Sequence, residues 1–297
     1  MTSQTSFYII LGSLLVPTCA TMGMAHVRRW RSEKRQRQAR SPISEKLMRP
    51  AGESLRLRID DLGEQFGERL TFAMILPGAM LAAVLLTSPD GSISQSRAVA
   101  AFVICALLLV FLLRRAFQTQ AELSQCRLGF HGERAVAEEL NQLMAEGCRV
   151  FHDLPMEPYG NIDHVIVSMT GVFAVETKTR RKRPPPKGKR DCDAVFDGEA
   201  VHFPTWTETK MVDQARMQAE QLSTLLTSAV GAPVAAQAVL TLPGWFLTSR
   251  VPPGKVRVLN PKGIRSIAVD ARATKLSPEM IQRICHQLEA KCRTVEL

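Results

Sequence analysis

Paired cysteine motifs are absent from this chain. Its seven cysteines, Cys19, Cys105, Cys126, Cys148, Cys192, Cys285 and Cys292, are odd in number and include no CxxC pair. That arrangement fits neither a zinc site nor a disulfide framework, and the thiols read as reduced and non-ligating. Aromatic residues are scarce, at 6% of the chain. Acid is in deficit: 28 Asp and Glu stand against 38 Lys and Arg, for a formal net charge of +10. This balance selects anionic partners, either nucleic acid or an acidic lipid surface. No basic residue precedes the first apolar run, so that run has the wrong polarity for a secretory leader. No internal repeat is present.

What the chain does have is three uncharged apolar runs in its first half. Residues 7–25 are of bilayer-spanning length, and Arg28, Arg29, Arg31, Lys34, Arg35, Arg37 and Arg40 follow them. The positive-inside rule puts the N-terminus outside and the chain from residue 26 in the cytoplasm. Residues 70–88 and 98–113 are the second and third runs, with Arg114 and Arg115 after the third. Two structures suit this pair: a helical hairpin in the membrane, or two core helices of a soluble bundle. Neither run carries a charge to solvate, which favours the membrane. Between the first and second spans, Leu55, Ile59, Leu62, Phe66 and Leu70 recur at helical spacing. That helix would either lie on anionic lipid or pack on a soluble domain. The expected plan is a transmembrane helix within 1–25, a cytoplasmic basic and amphipathic segment over 26–69, a transmembrane hairpin over 70–117 and a cytoplasmic domain over 118–297. The expected address is the inner membrane of a bacterium.

From residue 118 the composition is that of a soluble domain. Residues 120–146 predict a helix with a break near 129–132, closed by Gly147. Strands are expected over 150–154, 163–168 and 171–177, with a turn at 157–160. A basic loop, 180–190, leads to a second hairpin over 194–203 that turns at Asp197 and Gly198. A helix over 209–227 and strands over 234–240 and 256–259 follow. Ser277 caps a last helix with Pro278 at its first position and Met280, Ile281, Ile284 and Leu288 inward. This order of a helix, three strands, a helix and further strands predicts an α/β domain with helices on a mixed sheet.

The stretch 161–178, NIDHVIVSMTGVFAVETK, reads as a β-hairpin. With Ser168 facing Gly171, Asp163 falls opposite Glu176, and Lys178 shares their face. A slip of two residues keeps the three together, whereas a slip of one separates them. Two carboxylates on adjacent strands suit a hard cation such as Mg²⁺, and a lysine beside them can bind a water or a phosphate. The cations that follow, Arg180, Arg181, Lys182, Arg183, Lys187, Lys189 and Arg190, suit a phosphodiester backbone, or otherwise a solvated or lipid-facing loop. Trp206 and Trp245 could stack on bases, although anchoring the core suits them better. His164 points away from Asp163, and His152 and Asp153 read as structural.

Gly132-Glu133, His152-Asp153, Gly160-Asn-Ile-Asp163-His164, Gly171-Val-Phe-Ala-Val-Glu176-Thr-Lys178 and Gln214 resemble, in order and spacing, the nuclease-related domain (NERD) of the PD-(D/E)xK nuclease-like superfamily. The resemblance covers about residues 129–260. It implies a restriction-endonuclease-like α/β core, here preceded by a transmembrane helical region. It implies Asp163 and Glu176 as metal ligands, with Glu133 completing the site and the Thr177 carbonyl as a further ligand. It further implies that Lys178 positions the attacking water and that Gln214 supports the site. The expected cofactor is Mg²⁺ or Mn²⁺. The expected partners are nucleic acid, DNA ahead of RNA, and membrane lipid. The expected activity is metal-dependent phosphodiester hydrolysis, and the alternative is a non-catalytic, membrane-tethered nucleic-acid-binding or scaffold module.

Overall fold

The structure is a computed structural model that describes residues 45–86, 95–158, 160–185, 187–188, 190–252, 254–269 and 275–295. The first expected membrane helix lies outside the described residues. Lys46–Gln65 and Gln118–Glu296 make one compact unit, and Phe66–Phe117 belongs to another.

Helix α1, Glu53–Leu86, contributes to both units, as does α2, Gln95–Gln142. Among the described residues, one helix, α2 from Val99 onward, is long and apolar enough to cross a membrane. Its apolar residues have almost no protein cover: Phe102 is 74% exposed, and Leu107, Phe111 and Phe117 are also exposed. Apolar surface left open on this scale needs a non-aqueous neighbour.

In the other unit, the strands that build the core are β2 (Arg149–Pro155), β3 (Asn161–Ser168), β4 (Gly171–Thr177), β8 (Ala236–Thr241) and β10 (Val256–Leu259). They form a five-stranded sheet in the order β10-β8-β4-β3-β2. β2, β3 and β4 are antiparallel neighbours, and β4, β8 and β10 run parallel. β4 is buried along nearly its whole length. A continuous apolar strand of this kind belongs in the middle of a sheet covered on both faces.

On one face sit α3 (Lys210–Val230) and α5 (Pro278–Cys292). The inward residues of α3, Met211, Ala215, Ala219, Leu222 and Leu226, recur at helical spacing and meet Ala174, Leu240 and Val165. The Ser277 Oγ accepts the Met280 N–H at 3.2 Å and caps α5 as its sequence predicts. On the other face, Val136 and Leu140 of α2 pack against Ile166, Phe173, Val175 and Val239. Truncating Leu140 to Ala would cost about 2–5 kcal/mol. A short helix, α4 (Arg265–Ala268), closes that core.

Between β4 and β8 the chain also lays down β5 (Asp193–Phe196), β6 (Val201–His202) and β7 (Thr207–Glu208). With β9 (Phe246–Ser249) they form a second sheet in the order β7-β6-β5-β9. β1 (Leu47–Met48) pairs with β11 (Arg293–Val295), joining the segment before α1 to the end of the domain.

Two expectations need correction or narrowing. No break occurs near 129–132: α2 runs continuously through both glycines to Gln142. Of the two readings of the amphipathic segment, its contacts up to Gln65 are those of a helix packed on the α/β core: Leu62 is buried and Arg58 pairs with Glu122 of α2.

Candidate active site

The β3–β4 hairpin sets the register of the site. Ser168 faces Gly171 and His164 faces Val175, as a two-residue loop at Met169 and Thr170 requires. Gly171 has φ +142°, in a region that favours glycine. The ladder ends at His164–Val175. Beyond it, the Asp163 side chain replaces the missing backbone acceptor, its Oδ2 accepting the Thr177 N–H at 2.7 Å. Asp163 is thereby held beside the last turn of β4, where Glu176 and Lys178 lie.

Glu176 is 1% exposed. Its Oε1 pairs with the Lys178 Nζ, and its Oε2 is buried without a hydrogen-bond partner. A carboxylate oxygen orphaned in this way is expensive unless something binds it. Lys178 itself is fixed by its backbone N–H, which the Thr241 carbonyl at the end of β8 accepts at 2.9 Å. The ends of β4 and β8 therefore carry the site together.

Glu133 approaches from α2. A Cβ on Gly132 would lie 1.6 Å from the Thr179 Oγ1, so only glycine allows the helix this close to the chain leaving β4. This packing explains a glycine that the pattern reads as a helix break. Glu133, the next residue, is 8% exposed, and burial followed by the Asp153 and Glu176 charges pushes its carboxyl up to about 8. Burial, then Glu176 and Glu133, holds the Asp163 carboxyl well above the usual range, against the opposing pull of the Thr177 N–H and Lys178. Three acids thus act on one another through their charges, with one ammonium beside them, and the charges do not balance.

Asp153, a residue whose sequence context suggested only a structural part, has a large one. It sits on β2 with φ +48°, which is costly for a residue with a side chain. Its Oδ1 accepts from the Ser54 Oγ and the Asn161 Nδ2 at 2.6 and 2.8 Å. Its Oδ2 accepts from the Arg49 Nε at 2.9 Å and the Ser54 N–H at 2.7 Å. With both oxygens taken, Asp153 has no lone pair left for a metal, but its charge is felt at Glu133. His152 Nδ1 lies 2.9 Å from His164 Nδ1, and burial lowers the basicity of both rings. The two imidazoles are packed, neutral groups on the face opposite Asp163.

Gln214 is half-buried near the start of α3, the end of that helix nearest the acids by topology. The buried glutamine of α3 is Gln218, four residues on. Its Nε2 donates to the Asn161 carbonyl at 3.1 Å, two residues from Asp163, and its Oε1 has no partner. Gln218 was not singled out from the sequence; it shares a helix face with Gln214, and spacing alone does not separate them.

The basic loop divides. Arg180 grips the Glu208 carboxylate with its Nε and second guanidinium nitrogen, so its charge is spent internally. Arg181 donates to the Ser124 Oγ, and Arg190 pairs with Asp193. Arg183 lies over the Trp206 ring at 4.8 Å, and Phe203 stacks on that ring at 4.4 Å. Arg183 and Phe203 both lie against Trp206, and Trp245 is buried beside it, so both indoles are engaged within the domain. Lys182, Arg183 and Lys187 are exposed. Lys189 lies outside the described residues.

The family model of the nuclease-related domain matches residues 128–243, from the last turns of α2 through β8. The chain carries a nuclease-related domain. All three acids, Lys178, Gln214 and Gln218 fall within it. No curated protein and no solved structure matches the chain. The domain's compact unit extends beyond the matched stretch, because Arg49 and Ser54 on one side and α5 on the other pack into it.

Whether these residues suit a metal ion can be judged from their donor chemistry. Among the described residues, no three His, Cys, Asp or Glu side chains form a cation-binding group as they stand. Lys178 occupies one oxygen of Glu176, and the Thr177 N–H occupies one of Asp163. The orphaned Glu176 Oε2 and the excess of carboxyls over ammonium are, however, the features a hard divalent cation would relieve. By charge and ligand type these donors would suit a hard divalent cation.

Proposed function

We propose that the chain is a membrane-anchored, metal-dependent nuclease that hydrolyses nucleic-acid phosphodiester bonds, DNA ahead of RNA. One observation carries this reading. Asp163, Glu176 and Lys178 meet at the open end of the β3–β4 hairpin, and one oxygen of Glu176 is buried there without a partner. Asp163 and Glu176, completed by Glu133 and the Thr177 carbonyl, would hold Mg²⁺ or Mn²⁺, which would polarise the phosphoryl group and make its bound water more acidic.

The chain's own residues do the rest. Lys178 holds a proton at Nζ and orients the attacking water or a phosphoryl oxygen. Glu133, neutral at pH 7 while its carboxyl stays near 8, is the group whose proton must leave as positive charge enters. Gln218 braces the start of β3 from α3, and Gln214, one turn earlier on that helix, would support the site or the substrate. Arg183, held on Trp206, and the exposed Lys182 and Lys187 bind the backbone of the polymer without reading its sequence. Arg180 positions the loop through Glu208. The apolar stretch of α2 fixes the domain at a lipid bilayer, with the domain on the cytoplasmic side.

Labelled single- and double-stranded DNA and RNA, incubated with the full chain in detergent, test the reading. Cleavage should require Mg²⁺ or Mn²⁺, stop with chelator and be lost in Asp163→Asn with the fold intact by circular dichroism. Cleavage that survives Asp163→Asn would falsify the assignment. A second reading is favoured by the Lys178–Glu176 pair, which fills one acid oxygen from within: a membrane-tethered module that binds nucleic acid without cutting it. Such a module would show salt-sensitive binding with no metal-dependent turnover.

A further inference from the structure

A second unbalanced charge cluster lies at the opposite end of the same sheet. The N-terminal ends of β4 and β8, with β10 beside them, border a cavity of about 630 Å³. Among the described residues, four cations line it, Arg216, Lys255, Arg257 and Lys275, against one acid, Glu220. Its volume is in the range of small-molecule sites.

The two lysines are exposed, but the two arginines are not placed as surface charges usually are. Arg257 is half-buried on the edge strand β10, yet among the described residues it has neither a carboxylate nor a hydrogen-bond acceptor as a partner. Elsewhere in this unit, the buried or half-buried arginines Arg49 and Arg180 each grip a carboxylate. Arg216 touches Asp213 through one terminal nitrogen at 3.3 Å, but its Nε is buried without a partner. Lys255 is held at the rim because the Gln237 Nε2 donates to the Gly254 and Lys255 carbonyls, at 3.4 and 3.0 Å. A guanidinium kept partly from water without an anion leaves strong donors unused.

We infer that this cavity is a binding site for a phosphate-bearing small molecule of nucleotide size, separate from the acid cluster. Arg257 and Arg216 supply fork-shaped donors for phosphate oxygens, and Lys255 and Lys275 supply point charges at the mouth. Along β4 the strand ends that carry the two clusters lie roughly 20 Å apart; on α3, Arg216 lies between Gln214 and Gln218 but lines the cavity. The inference does not depend on the nuclease reading.

Calorimetric titration of the full chain in nanodiscs at physiological salt tests it, with inorganic pyrophosphate and a deoxynucleoside monophosphate as probes. Both should bind saturably. The double variant Lys255→Gln, Arg257→Gln should weaken binding about tenfold or more, and Asp163→Asn should leave it unchanged. Arg216→Gln is the second variant, should the double change disturb the fold by circular dichroism, and it too should weaken binding. No saturable binding, binding unaffected by these variants, or binding lost in Asp163→Asn would each overturn the proposal. So would displacement of pyrophosphate by a short oligonucleotide but by no mononucleotide, which would assign the cavity to a polymer backbone.

Discussion

The two ends of the central sheet differ in charge although the same strands build both. At the C-terminal ends of β4 and β8, Glu133, Asp163 and Glu176 outnumber Lys178. At the N-terminal ends, four cations face one acid among the described residues. In between, the strands are apolar and buried. The contrast teaches how to separate charges placed for the fold from charges placed for a ligand. Asp153 is buried too, but Arg49, Ser54 and Asn161 satisfy both its oxygens. Glu208 is likewise matched by Arg180. Where the protein needs a charge for its own structure, it supplies the partner. The two ends of the sheet are where it does not.

Several substitutions would break or sharpen this comparison, and the largest effect is expected at the acid end. Asp163→Asn should lower metal-dependent cleavage by about two orders of magnitude or more, while pyrophosphate binding at the other end is unchanged. A gel assay and a titration on the same preparation read both. Next is Arg49→Met, which strips a buried carboxylate of its cation and should cost about 3–5 kcal/mol, seen as a large fall in thermal midpoint. It tests whether Asp153 belongs with the matched charges. Gly132→Ala should cost about 1–3 kcal/mol by overpacking against Thr179. It should also lower cleavage by displacing Glu133, a loss that Leu140→Val should not produce.

A pH effect of intermediate size distinguishes the ends without changing a contact. The folded Glu133 pKa, about 8, lies above the ordinary carboxyl value of 4.5, so the folded state holds protons that the unfolded chain gives up. The stability from this group is complete below about pH 4.5 and is lost as pH rises towards 8. Asp163 shifts in the same direction. His152, lowered to about 4 from 6.5, acts oppositely: its contribution is present above pH 6.5 and is lost as pH falls towards 4. Between about pH 6.5 and 8, therefore, the acids dominate. The thermal midpoint of the metal-free chain should fall across that window. Glu133→Gln should flatten the fall, and Arg257→Gln should not. The smallest effect is expected from Arg183→Ala, which should weaken nucleic-acid binding about threefold and reduce its salt slope by about one.

Much of the acid end was legible in the sequence, for reasons local to the chain. Alternation, a two-residue loop and Gly171 set the β3–β4 register, and that register places Asp163 beside Glu176 and Lys178. The cap at Ser277 and Pro278 was legible for the same reason. The unread parts depend on distant partners. Asp153 is matched by Arg49 and Ser54, about a hundred positions away in sequence, and no periodicity announces such a pair. Gly132 looked like a helix break because its partner, Thr179, lies on another element. Arg180 looked like a free cation until Glu208 folded beside it. The cavity at the other end gave no motif, since Arg216 and Lys275 come from elements distant in sequence from each other and from the Lys255–Arg257 pair at the start of β10.

The central claim is that the acid end is short of positive charge and takes a divalent cation. Titrating Mn²⁺ into the full chain at pH 7, in two buffers of different ionisation enthalpy, measures binding and proton release together. The account predicts one saturable site that releases about one proton per ion as Glu133, held near 8, gives up its own, and that is lost in Asp163→Asn. Absence of saturable binding, or binding unchanged in Asp163→Asn, would contradict it.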